Sequence, residues 1–167
     1  MKVLDVLGVR VEMPTNAPIV LLRERDGDRY LPIWIGAAEA TAIAYAQQGV
    51  VPPRPLTHDL LKNVLDELGH TLTRVRIVAL RDGVFHAALD VDGGRSGGGT
   101  EIESRSSDAI ALALRAGAEI VAEDELLDEA GVAMATEEED EVERFKEFLD
   151  QVSADDFGQE TPEDPHD

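Results

Sequence analysis

Cysteine is absent from the 167 residues. That excludes disulfides and thiolate metal sites, and fits a cytoplasmic protein. Aromatic residues are scarce, with one Trp, two Tyr and four Phe. So few rings argue against a surface that stacks the bases of a single strand. No apolar run approaches the roughly 18 residues of a membrane span. Asp5, Arg10 and Glu12 interrupt the first apolar segment, so no signal peptide is expected. Positive charge is also short, since 15 Lys and Arg face 35 Asp and Glu for a net charge of −20. The imbalance is local. Residues 1–122 hold 16 acids and 13 Lys or Arg, net −3, whereas residues 123–167 hold 19 acids and 2 Lys or Arg, net −17. An acidic tail repels phosphate backbones, but a nearly neutral body leaves room for a local basic site.

Periodicity organises the body. Alternation of Val9, Val11 and Met13 with Arg10 and Glu12 predicts a strand over Val3–Met13. Pro14-Thr15-Asn16 breaks it. A second strand around Ile19–Leu22 and a third over Tyr30–Ile35 flank Asp26-Gly27-Asp28, which reads as a hairpin. An alanine-rich helix follows over about 37–48. Pro52, Pro53 and Pro55 enforce an extended connector. Thr57 is expected to cap the next helix, whose apolar stripe is Leu60, Leu61, Val64, Leu65 and Leu68, with Gly69 as the stop. Strands Thr71–Leu80 and Val84–Val91 meet at Asp82-Gly83, a type I′ turn signal that places Leu80 opposite Phe85 and Ala79 opposite His86. A glycine-rich connector over 93–99 leads to a short strand, Thr100–Ser104. A helix capped by Ser106 or Ser107 then ends near Gly117, and a last strand covers Ile120–Ala122.

This order predicts an α+β fold, a mixed β-sheet with hairpins packed against several helices in a single domain, residues 1–131. A short helix, Glu123–Ala130, closes it. Residues 132–152 follow as an acidic amphipathic helix with an apolar stripe of Val142, Phe145, Leu149 and Val152. Residues 153–167 are polar and expected to be a disordered acidic tail.

Two helix starts draw attention. In Arg54-Pro55-Leu56-Thr57-His58-Asp59, free N–H groups and the helix dipole suit an anion, and Arg54 would add a bidentate phosphate contact. An imidazole such as that of His58 supplies an acid or base near neutral pH, and Asp59 would hold a divalent metal or orient water. Ser104-Arg105-Ser106-Ser107-Asp108 repeats the pattern of an arginine, a hydroxyl and an aspartate. Ordinary capping explains either segment alone, since Ser, Thr and Asp are common in first turns. Glu39 is the only charge between Leu31 and Gln48; it answers the helix dipole or serves as a ligand or base. His86 fits a half-buried strand position, and His70 and His166 receive no role. Trp34, in the most apolar strand, reads as core or subunit interface. The glycines at 93–99 lack the Gly-Lys-Ser/Thr of a P-loop.

Three segments resemble the bifunctional nuclease (BFN) domain, in that family's order. They are Leu31-Pro32-Ile33-Trp34-Ile35-Gly36 with Glu39-Ala40, Arg54-Pro55-Leu56-Thr57-His58-Asp59-Leu60, and Ser104-Arg105-Ser106-Ser107-Asp108-Ala109-Ile110-Ala111-Leu112-Ala113-Leu114-Arg115. The resemblance covers about residues 1–131. It implies an α+β homo-oligomer, a dimer or larger, acting on DNA and RNA. It also implies functional positions at Glu39, Arg54, His58, Asp59, Arg105, Ser107 and Asp108. Ser106 departs from the proline usual in the family, and serine also starts helices well.

Two functions stay open. The first is a phosphodiesterase of nucleic acids. Arg54, Thr57, Arg105 and Ser107 would bind phosphate, while His58, Asp59, Asp108 and Glu39 would be catalytic. Asp59 and Asp108 would hold Mg²⁺ or Mn²⁺. The second is a non-catalytic homo-oligomeric module for a small anion, nucleotide or protein, with the acidic tail contacting a basic partner.

Overall fold

A computed structural model describes residues 1–94, 97–133 and Phe145. Its strands are β1 (Lys2–Glu12), β2 (Ala17–Glu24), β3 (Arg29–Trp34), β4 (Thr71–Arg81), β5 (Val84–Asp92), β6 (Thr100–Arg105), β7 (Glu119–Ala122) and β8 (Val132–Ala133). The helices are α1 (Ala37–Gln48), α2 (Thr57–Glu67), α3 (Ser106–Ala116) and α4 (Asp124–Ala130). All eight strands form one mixed sheet in the order β6-β5-β4-β7-β1-β2-β3-β8. The chain is therefore α+β, as expected.

The sheet is two antiparallel units joined by one short strand. β1, β2 and β3 form a meander, and β4, β5 and β6 form another. β7 lies between them, antiparallel to β1 and parallel to β4. Its Ile120, Val121 and Ala122 are buried. At the β4–β5 turn both Asp82 and Gly83 have positive φ, 51° and 75°, which glycine tolerates at little cost. The resulting register sets Leu80 opposite Phe85 and Ala79 opposite His86, as the turn signal predicts. β8 extends the body beyond Gly131 by pairing with Arg29 and Tyr30 of β3.

α1 packs on β1 and β2, α3 packs on β4 and β5, and the two helices lie against each other. α2 packs against α3. Ala109, Ile110, Ala111, Leu112 and Ala113 are all buried, so α3 is apolar around most of its circumference and sits within the domain. α1 uses small residues, Ala40, Ala42 and Ala44 beside Ile43, which permits close approach.

Three local expectations need correction. The α2 stripe does not face the core: Leu60, Leu61, Val64 and Leu68 are exposed, and only Leu65 packs on it. α3 already occupies the inner position, leaving α2 as an outer layer. Thr57 is the first helical residue of α2, and Leu56 is its cap. Ser106 and Ser107 likewise lie inside α3, whose cap is Arg105. There β6 runs directly into the helix, so the turn falls one residue earlier than the hydroxyls suggest. Of the acidic helix expected over 132–152, Val132 and Ala133 are instead strand β8; the rest of it and the tail expected over 153–167 lie outside the described residues, except Phe145. That residue is helical and buried, with the Arg10 guanidinium 5.9 Å from its ring centre.

Charge also ties the sheet. Arg76 of β4 bonds Asp90 of β5 at 2.9 Å and Glu101 of β6 at 2.6 Å, and Arg74 reaches Asp90 at 2.6 Å. The Arg76 hydrogen bond, helped by Arg74 and opposed by burial, holds the Asp90 carboxyl below the usual aspartate range. The folded chain therefore binds this proton more weakly than the unfolded chain does. The stabilisation is complete above an ordinary aspartate pKa of about 3.9 and is lost as pH falls through the lower folded value. Asp90→Asn should cost about 1–3 kcal/mol at pH 7 in urea unfolding, and the gap to wild type should narrow as acid removes the same charge.

Candidate functional site

Glu39, Asp59 and Asp108 share one property of local structure: each is the third residue of its helix, α1, α2 and α3 respectively. There a carboxylate answers the free N–H groups and partial positive charge of a helix start. In α2 the Asp59 Oδ2 accepts the Leu56 N–H at 3.0 Å. In α1 the cap is Gly36, and a Cβ there would collide with the Glu39 carboxylate.

Arginines join these helix starts. Arg105 donates through Nε to Asp108 Oδ2 at 2.8 Å and through Nη2 to Glu39 Oε1 at 2.7 Å. Asp108 Oδ1 lies 2.9 Å from His58 Nε2. A continuous polar chain therefore runs Glu39–Arg105–Asp108–His58 across α1, α3 and α2. Next to His58, Asp59 Oδ1 accepts from Arg115 Nε at 2.7 Å. Arg115 also donates to the Ala111 carbonyl at 2.8 Å and the Ala42 carbonyl at 3.0 Å. One buried guanidinium thus binds all three helices.

Burial by itself would raise the Asp108 carboxyl. The hydrogen bonds from Arg105 and His58 and their charges outweigh it and keep Asp108 below the usual range. Asp59 follows the same logic: burial opposes ionisation, while Arg115 and the Leu56 N–H favour it and prevail. An ionised Asp108 only accepts, so His58 Nε2 carries the hydrogen. The other ring nitrogen, Nδ1, makes no hydrogen bond among the described residues. His58 is 9% exposed.

Of the residues singled out by sequence, Glu39, His58, Arg105 and Asp108 are thus bonded in series, and Asp59 stands beside them. Ser107 is buried at the start of α3. Arg54 and Thr57 are exposed, and neither has a side-chain partner among the described residues. Two clefts flank the chain. One, of about 480 Å³, is lined by Pro52, Pro53, Pro55, Lys62, Asp59 and Arg115. The other, of about 360 Å³, is lined by Trp34, Phe85, Arg105, Ser106 and Ser107. Trp34 belongs to that rim and not to the core, at 61% exposure.

Arg115 is the participant that sequence reasoning passes over. Its signal was present: it stands seven residues after Asp108, two helical turns, so both lie on one face of α3. The carboxylates do not fit a divalent cation as arranged. Asp59 and Asp108 are each taken by an arginine, and no three acidic or imidazole groups among the described residues gather as ligands.

A model described as the bifunctional nuclease domain matches residues 20–135, which include every residue of this network. Uncharacterized protein Rv1829 and Uncharacterized protein MT1877, from two strains of Mycobacterium tuberculosis, are each 52% identical over 161 residues. The matches cover 91% of this chain and 95% of theirs.

Removing the shared guanidinium tests the site's construction. Arg115→Met should destabilise by about 3 kcal/mol, because Asp59 is left ionised and half-buried without its partner. Asp59→Asn in the same chain should recover part of that loss, so the double variant is more stable than additivity predicts. Urea unfolding of the four proteins measures the coupling.

Proposed function

The chain belongs to the bifunctional nuclease domain family, and on that premise we propose that it hydrolyses phosphodiester bonds of DNA and RNA. The observation that supports this most is the hydrogen bond between His58 and Asp108 with Arg105 beside it. Asp108 holds Nε2–H and leaves the Nδ1 lone pair for a proton. In the proposed step Nδ1 takes a proton from water as the water oxygen bonds to phosphorus. The P–O bond to the leaving sugar oxygen breaks, and that oxygen is protonated from solvent or by the imidazolium. Arg105, 66% exposed on its side chain and with Nη1 in neither ion pair, meets the charge on the non-bridging oxygens. Arg54, exposed two residues before the α2 cap, supplies a second phosphate contact. A divalent ion would require Asp59 or Asp108 to leave its arginine, so no step is routed through one.

A second reading draws on a different observation. Arg105 is already bonded to two carboxylates, which leaves it less charge to offer a phosphoryl transition state and favours a non-catalytic binding module. The exposed face of α2 supports the homo-oligomer that the family resemblance implies.

Pure protein incubated with DNA and RNA, in Mg²⁺, in Mn²⁺ and in EDTA, decides between them. Asp108→Asn and His58→Ala should lower the rate by about 100-fold or more, with Arg105→Ala lowering kcat/KM as well. Equal rates in wild type and folded variants would identify a contaminant and remove the nuclease reading. Titration calorimetry with nucleotides then tests the binding module. For the oligomer, Leu60→Glu with Val64→Glu should lower the sedimentation coefficient.

A further inference from the structure

We infer that the cleft beside Trp34 seats an unpaired nucleobase, with the adjoining phosphate at Arg105, so that the substrate is single-stranded nucleic acid. The inference rests on the nuclease reading and adds the substrate class to it. Scarcity of aromatic residues argues against a stacking surface, but the position of one ring reverses the argument. Trp34 ends β3 and is 61% exposed, although it is the largest apolar side chain available to the core. An indole kept in water forgoes substantial burial energy and offers its face to a flat partner.

The cleft has two unlike walls. Trp34, Val84 and Phe85 give an apolar, aromatic wall. Arg105, Ser106 and Ser107 give a polar one. Ser106 and Ser107 are each 6% exposed, and their hydroxyls make no hydrogen bond among the described residues. Neither hydroxyl oxygen is a buried atom without a partner, so each can donate to oxygen or nitrogen acceptors of a ligand at the cleft wall. Arg81 stands opposite the lining residue Val84 in the β4–β5 ladder, exposed and without an ion pair among the described residues. An unpaired nucleotide presents the matching pair of surfaces, a π face and a neighbouring phosphate. In a duplex that face is hidden by stacking.

Trp34 is the only tryptophan, so its emission reports this cleft alone. The full chain in EDTA is titrated with a short oligothymidylate, an abasic deoxyribose-phosphate oligomer of equal length and a DNA duplex. Tryptophan emission and the anisotropy of labelled copies are followed together. The oligothymidylate should quench Trp34 saturably. Trp34→Leu should weaken its binding by about 5- to 100-fold, Trp34→Phe should restore most of it, and the abasic oligomer should bind all three proteins alike. Unquenched emission with equal oligothymidylate affinity in wild type and Trp34→Leu would overturn the inference. So would emission that shifts with protein concentration alone, which would place a second copy of the chain over the ring. Hydrolysis that survives Trp34→Leu with no base-dependent quench removes the nucleobase seat and leaves the nuclease reading intact. Base-dependent quenching without hydrolysis by any preparation removes the nuclease reading and leaves the seat.

Discussion

Arg115 bonds an acid on α2, a carbonyl of α1 and a carbonyl of its own helix, and it does so from an almost buried position. A guanidinium suits this because its donors lie in one rigid plane and can serve several acceptors at once. Lysine would bring a single point charge and lose the directional contacts. With α1, α2 and α3 fixed to one another, His58 is carried to Asp108, and Arg105 can span Asp108 and Glu39. The polar chain through His58 is therefore secondary to a structural one. Packing brings the helices together, and Arg115 fixes how their first turns meet.

The balance of charge follows from that arrangement. Three carboxylates and two arginines share a small volume, and each acid also faces the positive end of its own helix. Asp59 and Asp108 stay ionised despite burial because hydrogen bonds favour the charged form by more than desolvation opposes it. Arg105 differs from Arg115 in exposure, at 66% against 9% for the side chains, and that difference separates a group able to meet a ligand from one confined to holding helices. The surplus negative charge of the sequence falls mostly beyond residue 122.

The sequence carried the local signals well and the layering poorly. Asp82-Gly83 determined a turn type and with it a register, because two positive φ values restrict the chain to one kind of hairpin. The α2 stripe was visible too, but periodicity reports only that a helix has an apolar face, not which layer will cover it. α3 competed for the inner position with five consecutive buried residues and won. β7 is four residues long, and nothing in so short a run distinguishes a central strand from an edge. Among the candidate site residues, the recurring arginine and aspartate marked two helix starts that meet through His58 and Asp108, although Arg54 stays outside the network. The cap positions were misread by one residue at α2 and by one or two at α3, since Ser and Thr cap well in isolation while strand β6 delivers Arg105 straight into α3. Of the two places open to Trp34, the core is excluded, because the residue lies at the exposed end of its apolar strand.

The shared third position of Glu39, Asp59 and Asp108 sets an asymmetry between kinds of genetic change. An α-helix turns about 100° per residue, so one residue inserted between cap and acid swings the carboxylate about a quarter of a turn away from its arginine. Replacing a neighbour leaves that phase untouched. Length variation should therefore be tolerated in the proline connector before Leu56 and in the glycine-rich link before Thr100, both upstream of the caps. Between cap and acid, three separate stretches of the chain behave as fixed-length elements whose residue count is more constrained than their composition.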